Sequence, residues 1–156
     1  ASDTSLPVDW ASPLNDGGAD VTKYKVEWDT NPGTPEVQTI TTSADNAMYG
    51  TFRLTFKSFT TQAIPFDASD AKMKSSLEGL QSVGTVAVTR SSLANGYVWT
   101  VTFVDNVGDQ PSLQADKSSL GGSNSNVAVD QIVAGTEPAF DQGTVGIYTL
   151  PLGSSE

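Results

Sequence analysis

Asp105, Asn106, Asp109 and Asp116 carry the oxygen ligands that a hard cation such as calcium prefers. Their spacing does not reproduce the Asp-x-Asp-x-Asp-Gly loop of a helix-loop-helix calcium site, and acids in loops ordinarily act as solvated turn formers. Asn15, Asp16 and Asp20 form a second, thinner set open to the same two readings. The chain has no histidine and no cysteine. That removes disulfides, thiol nucleophiles, imidazole acid–base catalysis and nearly every transition-metal site. A Ser or Thr nucleophile would find only scattered lysines and carboxylates to act as its base. No two acids are marked out by an aromatic platform, as a glycosidase pair would be. Gly17-Gly18 and Gly121-Gly122 lack the Lys and the helix that complete a phosphate loop. No enzyme is expected, no catalytic residue is assigned, and no cofactor or metal is expected, with Asp105, Asp109 and Asp116 as weak candidates for calcium.

Binding chemistry is similarly sparse. Trp10, Trp28 and Trp99 could stack on sugars, yet each occupies an alternating strand pattern in which tryptophan normally belongs to the core. With 8 Lys and Arg against 18 Asp and Glu, the net charge is -10. Such a surface repels phosphate, so nucleic acid is not a partner; it suits solubility, or attraction of cations. No apolar run reaches the ~20 residues needed to span a bilayer, so membrane insertion is not expected. The first residues lack a basic-then-apolar export signal, as in a mature chain or a fragment. Asn-x-Ser/Thr does not occur, so N-glycosylation is not expected. Thr51, Thr55, Thr100 and Thr102, on outward strand positions, could carry O-linked sugar or simply be polar strand faces.

The elements that would position these groups are mostly strands. Leu6, Val8 and Trp10 alternate, as do Tyr24, Val26 and Trp28, with turn residues from Pro13 to Gly18 between them. Asn31-Pro32-Gly33-Thr34-Pro35 breaks the chain, and the β-branched run from Glu36 to Thr42 follows. Phe52, Leu54 and Phe56 define one strand face, and residues 60–66 are expected to return as its hairpin partner. Met73, Leu77 and Leu80 recur at i, i+4 and i+7, which predicts a helix over 68–80 with Asp67 as its cap and Asp70 in its first turn. Val83 to Arg90 and Tyr97 to Phe103 make a second hairpin, with Tyr97, Trp99, Val101 and Phe103 inward and Asn95-Gly96 offering positive φ at the turn. Leu113 and Leu120 are satellite core positions, Gly121 to Asn126 is expected to be flexible, and Val127 to Val133 is a last strand.

Two resemblances emerge from these residues. Trp10-x-x-Pro13, the Asp16-Gly17-Gly18 loop and Tyr24-x-Val26-x-Trp28 resemble the second and third strands of a fibronectin type III domain. That likeness implies core roles for Trp10 and Tyr24 and covers only the first 35 residues; Ile147 to Gly153 is where such a domain could resume. The middle of the chain resembles a repeat of very large secreted and surface proteins of diatoms, oomycetes and other heterokont protists. Glu36 to Thr42, Gly50-Thr51-Phe52-x-Leu54-x-Phe56, Phe66-Asp67-Ala68, Gly96-Tyr97-x-Trp99-x-Val101-Thr102-Phe103 and Gly108-Asp109-x-Pro111 carry that match. It implies an extracellular structural role in surface filaments such as flagellar hairs, or in adhesive material, and no catalytic residues.

The expected fold is therefore mainly β with one helix. An α+β central unit over 36–137, a helix on an antiparallel-rich sheet, is flanked by partial fibronectin III-like sandwich strands in 1–35. A C-terminal strand segment, 138–156, packs on 1–35 or on a neighbouring copy. The core is expected to hold Trp10, Tyr24, Trp28, Phe52, Leu54, Phe56, Met73, Leu77, Leu80, Tyr97, Trp99, Val101 and Phe103. The expected function is that of a non-enzymatic extracellular module, one repeat of a surface or secreted polymer, with neighbouring copies or adjacent repeats as partners. The alternative is a module that binds extracellular glycan or a calcium-bridged matrix.

Overall fold

The computed structural model describes residues 23–26, 33–138 and 148–151, with side-chain detail for 33–138. Among the described residues the fold is mainly β with one helix and antiparallel sheets. The chain divides into two compact units, Asp29–Phe140 and a smaller one made of Ala1–Trp28 with Asp141–Glu156. In the smaller unit β1 (Lys23–Val26) pairs antiparallel with Tyr148–Pro151, the last strand among the described residues, so that Tyr24 sits opposite Leu150. Trp10, Trp28, Asn15, Asp16 and Asp20 lie outside the described residues, as does the side chain of Tyr24.

The larger unit contains β2 (Val37–Ser43), β3 (Tyr49–Phe56), β4 (Phe59–Thr60), β5 (Ile64–Pro65), α1 (Asp70–Glu78), β6 (Val86–Leu93), β7 (Gly96–Phe103), β8 (Gln114–Asp116), β9 (Leu120–Gly121) and β10 (Asn126–Val133). One sheet has the order β10-β2-β7-β6, antiparallel throughout. The other is built around β3, which pairs with β4, β5, β8 and β9. Ring centroids of Phe52 and Trp99 lie 5.9 Å apart and those of Phe56 and Phe103 5.2 Å apart, so β3 and β7 face each other across one core. Ile40, Leu54, Ile64, Met73, Leu77, Leu80, Val101 and Leu113 belong to that core, while Tyr97 and Leu120 are half-buried at its margin.

Residues 60–66 return along β3 as two short pieces rather than one strand. Thr60 is opposite Thr55 but Pro65 is opposite Thr51, so the returning strand holds one extra residue. Thr61 fills that irregularity: its N–H donates to the Leu54 carbonyl at 2.9 Å and its hydroxyl accepts from the Leu54 N–H at 3.1 Å.

The helix is shorter than 68–80, and its cap is Ser69, not Asp67. Ser69 has extended φ/ψ and its Oγ accepts from the Lys72 N–H at 3.1 Å, the bond that makes serine a good cap. Leu80 lies past the last helical residue, yet a turn through Gly79 still buries it. The helix lies against β5 and β6, one strand from each sheet, and so closes one side of the unit. Lys74 and Glu78 pair at 2.8 Å in the less favourable order for an isolated helix, cation before anion. Tertiary contacts give the reason for that order. Lys74 Nζ donates to the Val86 carbonyl at 2.6 Å and Glu78 Oε1 accepts from the Val86 N–H at 3.0 Å. The two side chains replace a neighbouring strand along the start of the β6 edge, where unpaired backbone would otherwise invite one.

Candidate functional site

The three acids marked as cation ligands are not brought together. Asp105 Oδ2 accepts from the Thr85 N–H at 2.9 Å, Asp109 Oδ1 from the Gln131 amide at 3.0 Å, and Asp116 Oδ1 from the Ser118 N–H at 2.9 Å. Asn106 bridges Gly84 and Ser82. Each serves a different contact; the Thr85 hydroxyl, then its N–H, holds the Asp105 carboxyl below the ordinary aspartate value, and the Ser118 N–H, then its hydroxyl, does the same for Asp116. Among the described residues no group of three or more acids could hold a metal ion. Trp99 is also lost as a sugar platform. It is fully buried, and its indole N–H donates to the Ala68 carbonyl at 2.9 Å, which satisfies the one polar atom of an otherwise apolar side chain. Thr51, Thr55, Thr100 and Thr102 are half-buried strand residues.

Two polar arrangements that sequence reasoning missed lie at different parts of the larger unit. The first centres on Glu36, which has 0% exposure. Its Oε1 accepts from Gln38 Nε2 at 3.1 Å and Gln131 Nε2 at 2.9 Å, and its Oε2 accepts from the Gly135 N–H at 2.8 Å. Burial pushes the carboxyl pKa up. The Gln131 amide, then the Gly135 N–H, Gln38 and the Gln110 backbone outweigh that and hold it below the ordinary glutamate value. Gln38, itself fully buried, accepts from the Leu113 N–H at 2.9 Å and donates to the Pro111 carbonyl at 3.2 Å. Gly135 has to be glycine, because a Cβ there would collide with the Gly108 carbonyl. One carboxylate therefore ties the start of β2, the loop before β8 and the segment after β10 together. Just beyond it Thr34 and Thr136 bridge antiparallel, so both ends of the unit emerge side by side.

The second arrangement is an open groove of about 260 Å³ lined by Asn46, Met48, Phe66, Leu93, Asn95 and Tyr97, among others. Three loops form and brace its surroundings. The Ala44 N–H donates to the Asn95 carbonyl at 3.1 Å, and Asn95 Nδ2 to the Asp45 carbonyl at 3.2 Å. Asn46 and Ser123 exchange two bonds, Asn46 Nδ2 to Ser123 Oγ at 3.2 Å and Ser123 N–H to Asn46 Oδ1 at 3.0 Å. Asp45 also accepts from Asn124 Nδ2 at 2.6 Å, and its N–H donates to the Ser123 carbonyl at 2.9 Å. The Gly121–Asn126 stretch, expected to be flexible from its composition, is thus pinned by side chains far away in sequence. The turn before β7 is also not as expected: neither Asn95 nor Gly96 takes positive φ. Gly96 is required instead because a Cβ would collide with the Thr42 carbonyl on the adjacent strand. Tyr97 is held by Arg90, whose guanidinium carbon lies 4.6 Å from the ring centroid while its Nη1 donates to the Asp67 carbonyl at 2.6 Å.

The chain matches no protein-family profile. Over 93 residues, 60% of this chain, it is 27% identical to Fibrocystin-L of Homo sapiens, and over 86 residues, 55% of this chain, it is 30% identical to Fibrocystin-L of Mus musculus. The chain spans only 2% of the length of each of these relatives. It is also similar to the crystal structure of FliD (HAP2) from Pseudomonas aeruginosa PAO1, at 14% identity with 88% of this chain and 86% of the other covered and a TM-score of 0.33. Among the described residues no helix is long and apolar enough to cross a membrane.

Proposed function

We propose that this chain is a non-enzymatic structural module of a large extracellular or cell-surface polymer, of the filament or adhesive kind, and that its neighbours are further copies or adjacent repeats. The observation that carries this reading is the construction of the larger unit as a closed body with both ends at one place. Thr34 and Thr136 bridge beside the buried Glu36, so the chain enters and leaves the unit at one point. Such a unit can be set into a longer chain without disturbing its flanks, since insertion is tolerated where the two ends lie close. A match confined to 2% of a much longer relative suits a module carried in a long chain. The resemblance of residues 36–137 to repeats of heterokont surface proteins supports the extracellular part.

The test is immunogold microscopy on intact, unpermeabilised cells that make the protein, with antibodies raised against residues 33–138. Label along external filaments or secreted adhesive material is expected. Label that appears only after permeabilisation would overturn the proposal.

A further inference from the structure

We propose that the groove between Phe66, Asn95 and Tyr97 binds a neutral saccharide chain. Its lining combines two aromatic side chains, the apolar Met48 and Leu93, and two side-chain amides, and no charged side chain lines it. A pyranose has this duality, with an apolar C–H face that seats on an aromatic surface and a rim of hydroxyls that each donate and accept. An asparagine amide does the same from one planar group, and so matches two adjacent hydroxyls. Asn46 is spent on Ser123, but Asn95 uses only one amide hydrogen, toward the Asp45 carbonyl, and its Oδ1 is left open, as is the Tyr97 hydroxyl. The backbone around the turn is already paired in the β6–β7 ladder and with Ala44, so an added peptide strand would find little to bond there. The volume lies below that of pockets that engulf drug-sized ligands, which suits a short stretch of sugar rings crossing an open groove.

The site is also braced in the way binding sites require. The loops that carry Asn46 and Asn95 are locked to Asp45, Ser123 and Asn124 by side-chain bonds, and Arg90 stacks on the Tyr97 ring. Little ordering is therefore needed on binding, the condition for useful affinity from a small contact. A net charge of -10 disfavours polyuronates and sulfated chains, which leaves the neutral class. The proposal goes beyond the structural reading and does not depend on it, because a groove that binds sugar is compatible with any location of the chain.

The experiment is a titration of the isotopically labelled full chain, followed by amide chemical shifts, with hexasaccharides of β-glucose, mannose and xylose and with oligogalacturonate as the charged control. Saturable shifts clustered at residues 45–48, 66 and 93–97 with at least one neutral chain are expected. Asn95→Ala, in an exposed turn, and Phe66→Ala should each weaken that binding roughly tenfold or more, as loss of a hydrogen bond or a stacking surface does. Lys72→Ala, in a separate groove beside the helix, should leave it unchanged. The proposal is overturned if no neutral chain shifts these amides, if the shifts cluster elsewhere, if oligogalacturonate binds in preference, or if a folded Asn95→Ala protein binds like the wild type.

Discussion

Glu36→Gln preserves size and shape, removes one charge and replaces one acceptor oxygen by a donor. If the new NH2 takes the place of Oε2, it faces the Gly135 N–H; if it takes the place of Oε1, it faces the amides of Gln38 and Gln131. Flipping the neighbours gives no relief. Gln38 is fixed by the Leu113 N–H and the Pro111 carbonyl, and a flipped Gln131 would turn its oxygen toward the Asp109 carboxylate. At least one buried donor therefore loses its acceptor. A hydrogen bond to a charged group contributes about 1.5–3 kcal/mol net, and an unsatisfied buried group costs about 1–3 kcal/mol. These overlap, so a loss of about 3 kcal/mol is expected, a large part of a domain's usual ~5–15 kcal/mol. With a urea slope of about 1–3 kcal/mol/M, the unfolding midpoint should fall by roughly 1–3 M. Acid titration supplies an independent check. The folded-state pKa of Glu36 lies below its unfolded value, so its contribution is complete above the unfolded pKa and is lost as pH falls through the folded one. The gap between wild type and variant should be flat near neutrality and close only below the ordinary glutamate range. A loss under about 0.5 kcal/mol, or a gap that widens in acid, would refute the role given to this carboxylate.

Other positions give simpler expectations. Leu77→Ala empties a fully buried site under the helix and should cost about 2–5 kcal/mol by urea denaturation; a cost within experimental error would mean that the helix is not part of the core. Gly96→Ala should destabilise by about 1–3 kcal/mol or more, because the new methyl meets the Thr42 carbonyl of a packed strand, whereas an effect near zero would show that β2 and β7 can part there. Glu78→Ala should speed amide exchange at Val86 without changing exchange at Val101 in the sheet centre, since it removes the acceptor on the β6 edge alone. Calcium should leave the melting temperature unchanged if Asp105, Asp109 and Asp116 serve only their separate contacts; an upward shift with calcium and not magnesium would show otherwise.

What could be read from the sequence was whatever apolar periodicity writes down. Phe52, Leu54 and Phe56, and Trp99, Val101 and Phe103, alternate strictly, and all six are buried. Met73 and Leu77 mark the helix face in the same way. Local boundaries were less legible. Asp67 and Ser69 are both good caps in isolation, and the choice between them is tertiary, because Arg90 binds the Asp67 carbonyl and Trp99 the Ala68 carbonyl just before the first turn. Asn-Gly predicts a left-handed turn from local preference, while Gly96 is selected by a backbone on another strand. The glycine- and serine-rich stretch after β9 looks like a linker until Asp45 and Asn46, almost eighty residues earlier, are brought against it.

The candidate site was hidden for a related reason. Along β2 the inward residues are Gln38, Ile40 and Thr42, so the strand's buried face is mostly polar and its alternation is invisible to any hydrophobic scale. Each polar group is admitted to the core by a partner from distant sequence. Leu113 and Pro111 satisfy Gln38, Tyr97 donates its N–H to Thr42 at 3.0 Å, and Gln131 and Gly135 satisfy Glu36. An apolar β2 would bury more surface but would not discriminate among registers, since most apolar side chains tolerate a neighbour's shift by two residues. A strand whose inward groups must meet particular donors and acceptors does not, because slippage would leave several buried polar atoms unpaired at once, each costing about 1–3 kcal/mol. β2 lies between β10 and β7, and its register therefore sets both theirs. Through β7 it also sets the place of Asn95 and Tyr97 at one end of the sheet, and through β10 the place of Gly135 and the bridge at Thr136 at the other. The groove and the paired ends depend on the same polar strand, which is why neither can be found by looking for chemistry in one stretch of sequence.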